Sequence, residues 1–162
     1  APLMAKLREI KSATEIALTS TAVEIAKKAF FRMAKKAKPG VWEFELEAEM
    51  IHEYLINRAT GHAFEPIIAS GKNSCILHYN KNNQQLQDGD VILLDFGAEY
   101  GMYNSDITRV LPVNGKFTQR QKDVYNAVLT IQKEAKKMLV VGTERQPYEK
   151  EVGKIATEQL IK

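Results

Sequence analysis

The stretch DVILLDFGAEYGMYNSDITR, residues 90–109, decides the fold. Its apolar run from Val91 to Leu94 is β-branched at its start, which predicts a strand buried on both faces. Asp95 ends the run. Tyr100-Gly101 predicts a two-residue hairpin turn, because glycine readily adopts a positive φ. A second strand should then run antiparallel to the first, from Met102 to Val113.

The predicted hairpin brings two carboxylates face to face. With the turn centred between residues 100 and 101, Asp95 lies directly opposite Asp106, and the Cβ atoms of such a pair are about 4.5–5.5 Å apart. Like charges repel at that distance, so a shared proton, a nearby arginine or two divalent cations must compensate them. Two cations about 3.5–4 Å apart compensate best, with one carboxylate chelating and one bridging. The alternative is a register that is off by one residue, with one aspartate exposed in the turn.

Composition limits the class of protein. The chain has 162 residues, enough for one domain with a buried core, and its 44% hydrophobic and 27% charged residues are ordinary for a globular protein. The net charge of +3 is too small to indicate nucleic-acid binding, and no apolar run approaches the ~20 residues of a membrane span. The single cysteine, Cys75, suits a reducing compartment and predicts a cytoplasmic protein. Its apolar neighbours predict a buried, inert thiol.

Helices flank the predicted strands. A capping box at Ser12–Glu15 predicts a helix that Pro39-Gly40 ends, and a second helix should run from Trp42 to Ala59. The apolar face of that second helix is predicted to contain Phe44, Ala48, Ile51 and Leu55. Short strands are expected at residues 66–69 and 75–78. A second capping box at Thr118–Gln121 predicts another helix, and a final helix should start near Pro147. Helices, then strands, then helices predict an α+β fold with an antiparallel sheet.

Few other side chains offer chemistry. His78 ends a predicted strand and is the histidine expected to face the aspartate pair, where its neutral ring can donate to an oxyanion or orient a carbonyl. His52 is expected on the surface, and His62 at the start of a loop. The glutamates at positions 43, 45, 47 and 49 are expected to be exposed. Two carboxylates alone seldom hold a catalytic di-metal site, so the ligand set is incomplete.

Several motifs, in order along the chain, resemble aminopeptidase P, a family of pita-bread metallopeptidases. They are IKSATEI at residues 10–16, KPG at 38–40, IASGKNSCILHY at 68–79, LDFGAEY at 94–100, SDITR at 105–109 and PVNGKF at 112–117. The resemblance implies hydrolysis of the bond between an N-terminal residue and a following proline. It also implies that Asp95 chelates one metal, that Asp106 bridges two, and that His78 lies near the substrate. The metals implied are two Mn²⁺ ions, and the partner is a peptide with proline at its second position.

The resemblance also has a gap. Members of the family complete the site with a histidine and two glutamates from a second half of the fold, and nothing after Asp106 matches them. Together with Ala1 as the first residue, this predicts that residues 1–162 are a single partial catalytic domain, the first half of a pita-bread fold, inactive or nearly so alone. Two hypotheses compete with a half-enzyme: a non-catalytic pita-bread module that binds protein, and a self-associating scaffold in which two copies form a homodimer. Metal binding separates an enzyme from a binding module.

Overall fold

The computed structural model describes residues 2–161. The chain divides between Lys116 and Phe117 into two compact units. The first unit holds helices α1 (Pro2–Glu9), α2 (Ala13–Lys36) and α3 (Glu43–Ile56) and all the described strands. The second unit holds helices α4 (Gln119–Met138) and α5 (Arg145–Leu160). No helix within residues 2–161 is both long and apolar enough to cross a membrane.

Two antiparallel three-stranded sheets form the centre of the first unit. One has the order β2 (Ile67–Ser70), β3 (Val91–Phe96) and β6 (Ile107–Pro112), and the other has β1 (Gly61–His62), β4 (Ala98–Tyr100) and β5 (Tyr103–Asn104). The long hairpin of residues 91–112 contributes strands to both sheets. Helices and antiparallel sheets together confirm the predicted α+β class.

The core of the first unit lies between the sheets and α2 and α3. Burial along β3 alternates: Ile92, Leu94 and Phe96 are fully buried, while Val91, Leu93 and Asp95 are half-buried. The prediction that this strand is buried on both faces is therefore wrong, because only one face is fully covered. The alternation still places Asp95 on the more open face, with its side chain away from the core.

The predicted capping boxes are confirmed. At the start of α2, the Ser12 backbone N–H donates to Glu15 Oε2 at 2.6 Å, and the Glu15 N–H donates to Ser12 Oγ at 3.3 Å. The same exchange joins Thr118 and Gln121 at the start of α4. Each box satisfies two N–H groups that the first helical turn leaves without intrahelical partners.

Helix α3 buries a different face from the predicted one. Leu46, Met50 and Tyr54 are buried in the core. The residues predicted to be buried are exposed: Phe44, Ala48, Ile51 and Leu55. The helix carries apolar residues on both sides, so periodicity alone cannot tell which side meets α2 and the sheet. The helix also ends at Ile56, before the expected Ala59.

The stretch expected to form a strand over residues 75–78 does not. Gly71–Cys75 forms a 3₁₀-helix, closed by a hydrogen bond from Ser74 Oγ to the Gly71 carbonyl at 2.6 Å. Residues 76–78 continue as an exposed loop. Cys75 is exposed, so the prediction of a buried thiol is wrong. The cause is local, since the positive φ of Gly71 turns the chain away from the direction of β2.

Candidate metal centre

The hairpin turn lies one residue later in the sequence than predicted, and this changes the register of the two strands. The turn residues are Gly101 and Met102, with φ of 58° and 66°, and they join the paired residues Tyr100 and Tyr103. Positive φ at both central residues is the requirement of a type I′ hairpin turn, whose twist matches that of the flanking strands. A turn at Tyr100-Gly101 would have placed tyrosine in the left-handed region instead.

The predicted direct opposition of Asp95 and Asp106 is consequently wrong. Asp95 pairs with Thr108 across β3 and β6, while Asp106 lies in the short connection between β5 and β6. Counted along the same register, Asp106 is two positions from Thr108 and therefore diagonal to Asp95. Diagonal neighbours share a face and lie about 7–8 Å apart. A diagonal arrangement leaves more room between the two carboxylates than the predicted register allowed.

A close crossing of the backbone fixes Asp106 beside β3. Gly97 follows β3, and a Cβ atom built on it would lie 2.7 Å from the carbonyl carbon of Ser105 and nearer still to its oxygen. Ser105 is buried, its N–H donates to the Ala98 carbonyl at 3.0 Å, and its Oγ accepts from the Ala98 N–H at 2.9 Å. Glycine is therefore required at position 97, and these bonds hold the residue that precedes Asp106.

The two carboxylates offer oxygen atoms for a metal. The Oδ1 atom of half-buried Asp95 accepts a hydrogen bond from Thr108 Oγ1 at 3.0 Å. Within residues 2–161, neither Asp95 Oδ2 nor exposed Asp106 is engaged in any other hydrogen bond or ion pair. Carboxylate oxygens are hard ligands, which suit Mn²⁺ and Mg²⁺ better than soft metals. The donor set therefore fits a hard divalent cation.

The described residues do not complete a metal site. Nowhere in residues 2–161 do three or more histidine, cysteine, aspartate or glutamate side chains form a group that could hold a metal ion. His78 thus does not join the two aspartates as a third ligand.

His78 lies on an exposed loop, so its predicted position at a strand end is wrong. Its φ of 53° is in the left-handed region, which residues other than glycine rarely occupy. The imidazole lines a groove of about 390 Å³ together with Asn73, Ile76, Tyr79 and Asn80. The ring is thus accessible from solvent and is free to contact a bound molecule.

Glu43 is the residue of this region that sequence reasoning missed. It was expected to be exposed, yet it is fully buried and accepts hydrogen bonds from four residues of the segment 70–84. Its partners lie 27 to 41 positions away in the sequence. The one sequence signal was the abundance of polar side chains in that segment, which require buried partners if the segment packs.

Comparison with known proteins gives consistent matches over most of the chain. The sequence profile described as metallopeptidase family M24 matches residues 17–161. The Xaa-Pro aminopeptidases of Haemophilus influenzae and Escherichia coli are 39% and 40% identical, each over 99% of this chain. Human Xaa-Pro aminopeptidase 3 is 41% identical over 87% of it. The chain covers 37%, 36% and 28% of these three proteins, little more than a third of their length at most.

Solved structures agree. A variant of E. coli aminopeptidase P in complex with substrate superposes with a TM-score of 0.95 at 39% identity, over 99% of this chain and 36% of that one. Proline aminopeptidase P II from Yersinia pestis gives 0.93 at 41% identity, over 99% and 37%. The expected resemblance to aminopeptidase P, and the expected pita-bread fold, are confirmed. By sequence and by fold, the chain belongs to metallopeptidase family M24.

Proposed function

We propose that this chain is part of a metal-dependent aminopeptidase that hydrolyses the bond between an N-terminal residue and a following proline. The observation that carries the proposal is the identity of about 40%, over 99% of the chain, with proteins named Xaa-Pro aminopeptidase. The matched region, 99% of the chain, includes the hairpin that carries Asp95 and Asp106. The substrate is then a peptide with proline at its second position.

Asp95 and Asp106 are the proposed metal ligands of this chain. Two divalent cations, Mn²⁺ in our proposal, would polarise the scissile carbonyl and lower the pKa of a water molecule that attacks it. The hydrogen bond from Thr108 leaves Asp95 Oδ2 available and fixes the orientation of the carboxylate. The close approach of Gly97 and Ser105 fixes the backbone directly before Asp106, which supports a site that is formed before the metal binds.

His78 is the proposed contact to the substrate. A neutral imidazole carries one ring N–H, which can donate to the carbonyl oxygen as negative charge develops on it. Its exposed position beside a groove lets it reach a bound peptide. The ring would orient the peptide and stabilise the oxyanion, while the aspartates hold the metal.

The chain supplies half of a site in this proposal. Two carboxylates bind a divalent cation weakly, and a catalytic di-metal site needs further ligands. In this proposal the further ligands come either from additional sequence in the same polypeptide or from a second copy of the chain. Sedimentation at high protein concentration distinguishes the two sources, since a monomer excludes the homodimer.

Paramagnetic broadening tests the metal assignment directly. Mn²⁺ titrated into the ¹⁵N-labelled chain should broaden the amide signals of residues 95–97 and 105–108 first. Asp106→Asn should abolish that localised broadening, while Asp88→Asn, which alters an exposed carboxylate in another turn, should leave it unchanged. Broadening that is spread evenly over the acidic surface would refute the assignment, and would favour the non-catalytic module.

Activity is tested in the complete natural polypeptide that carries this sequence. With Mn²⁺ added, it should release the N-terminal residue from a peptide with proline at position two, and Asp106→Asn should abolish release. The same peptide with alanine at position two is the control and should be cleaved far more slowly. Equal cleavage of both peptides would show that the enzyme is not proline-specific.

A further inference from the structure

Glu43 is a buried carboxylate that the proposed chemistry does not use. It is the first residue of α3 and is fully buried. Its Oε1 accepts from the Ser70 backbone N–H at 2.8 Å, from Ser70 Oγ at 2.7 Å and from Asn73 Nδ2 at 3.3 Å. Its Oε2 accepts from the Tyr79 hydroxyl at 2.7 Å and from the Gln84 backbone N–H at 3.0 Å. Both oxygens act only as acceptors, which satisfies a carboxylate out of reach of water.

The five donors span one loop, residues 71–84, from end to end. Ser70 immediately precedes it, Asn73 and Tyr79 lie within it, and Gln84 closes it. Helix α3 makes a second connection, because Asn82 Nδ2 donates to Glu47 Oε2 at 2.8 Å. A long loop without strands of its own is thus attached at its ends and at its middle to one helix.

His78 lies within this loop, next to Tyr79. The ring of Tyr79 is buried, and burial together with the hydrogen bond to Glu43 raises the pKa of its hydroxyl, which therefore remains a donor at neutral pH. His78 itself has a left-handed backbone conformation. Such a conformation costs free energy and persists only where the surroundings fix it. The next residue, Tyr79, is held in place by the hydrogen bond from its hydroxyl to Glu43, and this constrains the backbone at His78.

We propose that Glu43 is a positioning residue of the peptidase: through Tyr79 it holds the imidazole of His78 in the orientation that contacts the substrate carbonyl. The inference rests on the role of His78 proposed above. Glu43 is buried and has no access to substrate, so it acts only through the loop. A buried carboxylate with several partners is weak evidence for stability, since apolar packing often stabilises a core as well. The five hydrogen bonds that Glu43 accepts indicate instead that it fixes the position of this loop.

Two variants test the connection. Tyr79→Phe removes the hydrogen bond nearest His78 and keeps the buried ring. Glu43→Gln keeps the shape, but its NH₂ group must face the backbone N–H of either Ser70 or Gln84, so one donor is left unpaired in either orientation. Glu45→Gln is the matched control, because Glu45 lies in the same helical turn and bonds the Trp42 N–H rather than the loop.

The kinetic test is a double-mutant cycle in the complete polypeptide. Tyr79→Phe should lower kcat/KM for an Xaa-Pro peptide about tenfold, because small misplacements of a catalytic group are costly. In a His78→Ala background it should cause no further loss. Glu45→Gln should leave kcat/KM unchanged. An equal loss in both backgrounds, or no loss in either, would overturn the inference while leaving the proposed activity intact. The cycle depends on Tyr79→Phe, so it remains decisive if Glu43→Gln fails to fold.

A second measurement is independent of activity. In ¹⁵N-labelled chain, Tyr79→Phe should shift the ring signals of His78 and accelerate amide exchange at Gln84, and Leu94 in the core should exchange as before. If the proposed activity is absent, this experiment still judges the connection. Unchanged His78 signals and unchanged exchange at Gln84 would overturn it.

Discussion

The substitution Gly97→Ala tests whether the backbone crossing holds the aspartate hairpin together. The new Cβ would lie 2.7 Å from the Ser105 carbonyl carbon and 3.1 Å from the Cβ of Ala63, and nearer still to the Ser105 oxygen. Since backbone cannot rotate away as a side chain can, the segment that carries Ser105 must move by about 1.5 Å to restore ordinary contact. Movement of that size breaks the hydrogen bonds between Ser105 and Ala98.

The expected cost is about 2–4 kcal/mol of unfolding free energy, because two or three buried hydrogen bonds are lost at about 1 kcal/mol each and strain is added. Urea denaturation followed by circular dichroism measures it. The control is Gly61→Ala, where nothing lies within 4 Å of the built Cβ, and it should change the unfolding free energy little. If Gly97→Ala is as stable as Gly61→Ala, the crossing does not constrain position 97 and the account of how Asp106 is held fails.

Two further predictions concern buried and paired hydroxyls. The Tyr54 hydroxyl is buried and finds no hydrogen-bond partner among the described residues. Tyr54→Phe should therefore keep the unfolding free energy or raise it by up to about 1 kcal/mol. A decrease of more than about 1 kcal/mol, measured by urea denaturation, would contradict this. The pKa of Glu15 is lowered, first by the hydrogen bond from the Ser12 backbone N–H and then by that from the Tyr103 hydroxyl. The ionised Glu15 carboxylate therefore contributes to stability above pH 4.5, the ordinary pKa of the group, and that contribution is lost as the pH falls through the lowered pKa. Glu15→Gln should therefore show a shallower loss of stability between pH 6 and pH 3 than the unchanged chain, and equal slopes in urea titrations would refute the assignment.

Local sequence signals predicted several of the elements correctly. The capping boxes at Ser12 and Thr118 marked two helix starts because both partners of each box lie within four residues. The run Val91–Leu94 marked β3 for a similar reason, since apolar β-branched residues between turn signals favour a strand. The α+β class followed from the order of such elements.

The register of the hairpin could not be read from local signals. Glycine at position 101 fits either the first or the second central position of a two-residue turn, and tertiary packing selected the first, with Met102 as the second. That choice moved Asp106 from the position opposite Asp95 to a diagonal one. A one-residue uncertainty in a turn thus changes which side chains face each other. The argument for metal ions from two directly opposed carboxylates depended on the predicted register, while the resemblance to known enzymes linked the two aspartates to a metal independently of it.

The environment of Glu43 was beyond sequence reasoning for a different reason. Glutamates at positions 43, 45, 47 and 49 repeat every two residues, which spreads them around the sides of a helix, and glutamate on a helix is usually exposed. Burial came from a loop that begins 27 residues later, and no local pattern reports that contact. The same non-local packing chose which face of α3 is buried.

The exposed thiol of Cys75 gives this protein a natural labelling site. It is the only cysteine in the sequence, and it lies three residues before His78 at the end of the 3₁₀-helix. A thiol-reactive fluorophore or nitroxide would therefore attach at one place, on the loop that Glu43 holds, without engineered cysteines or the removal of native ones. Its mobility would report in real time whether that loop tightens when a peptide or Mn²⁺ is added. The same exposure makes reducing buffer necessary, since two such thiols can join separate molecules through a disulfide.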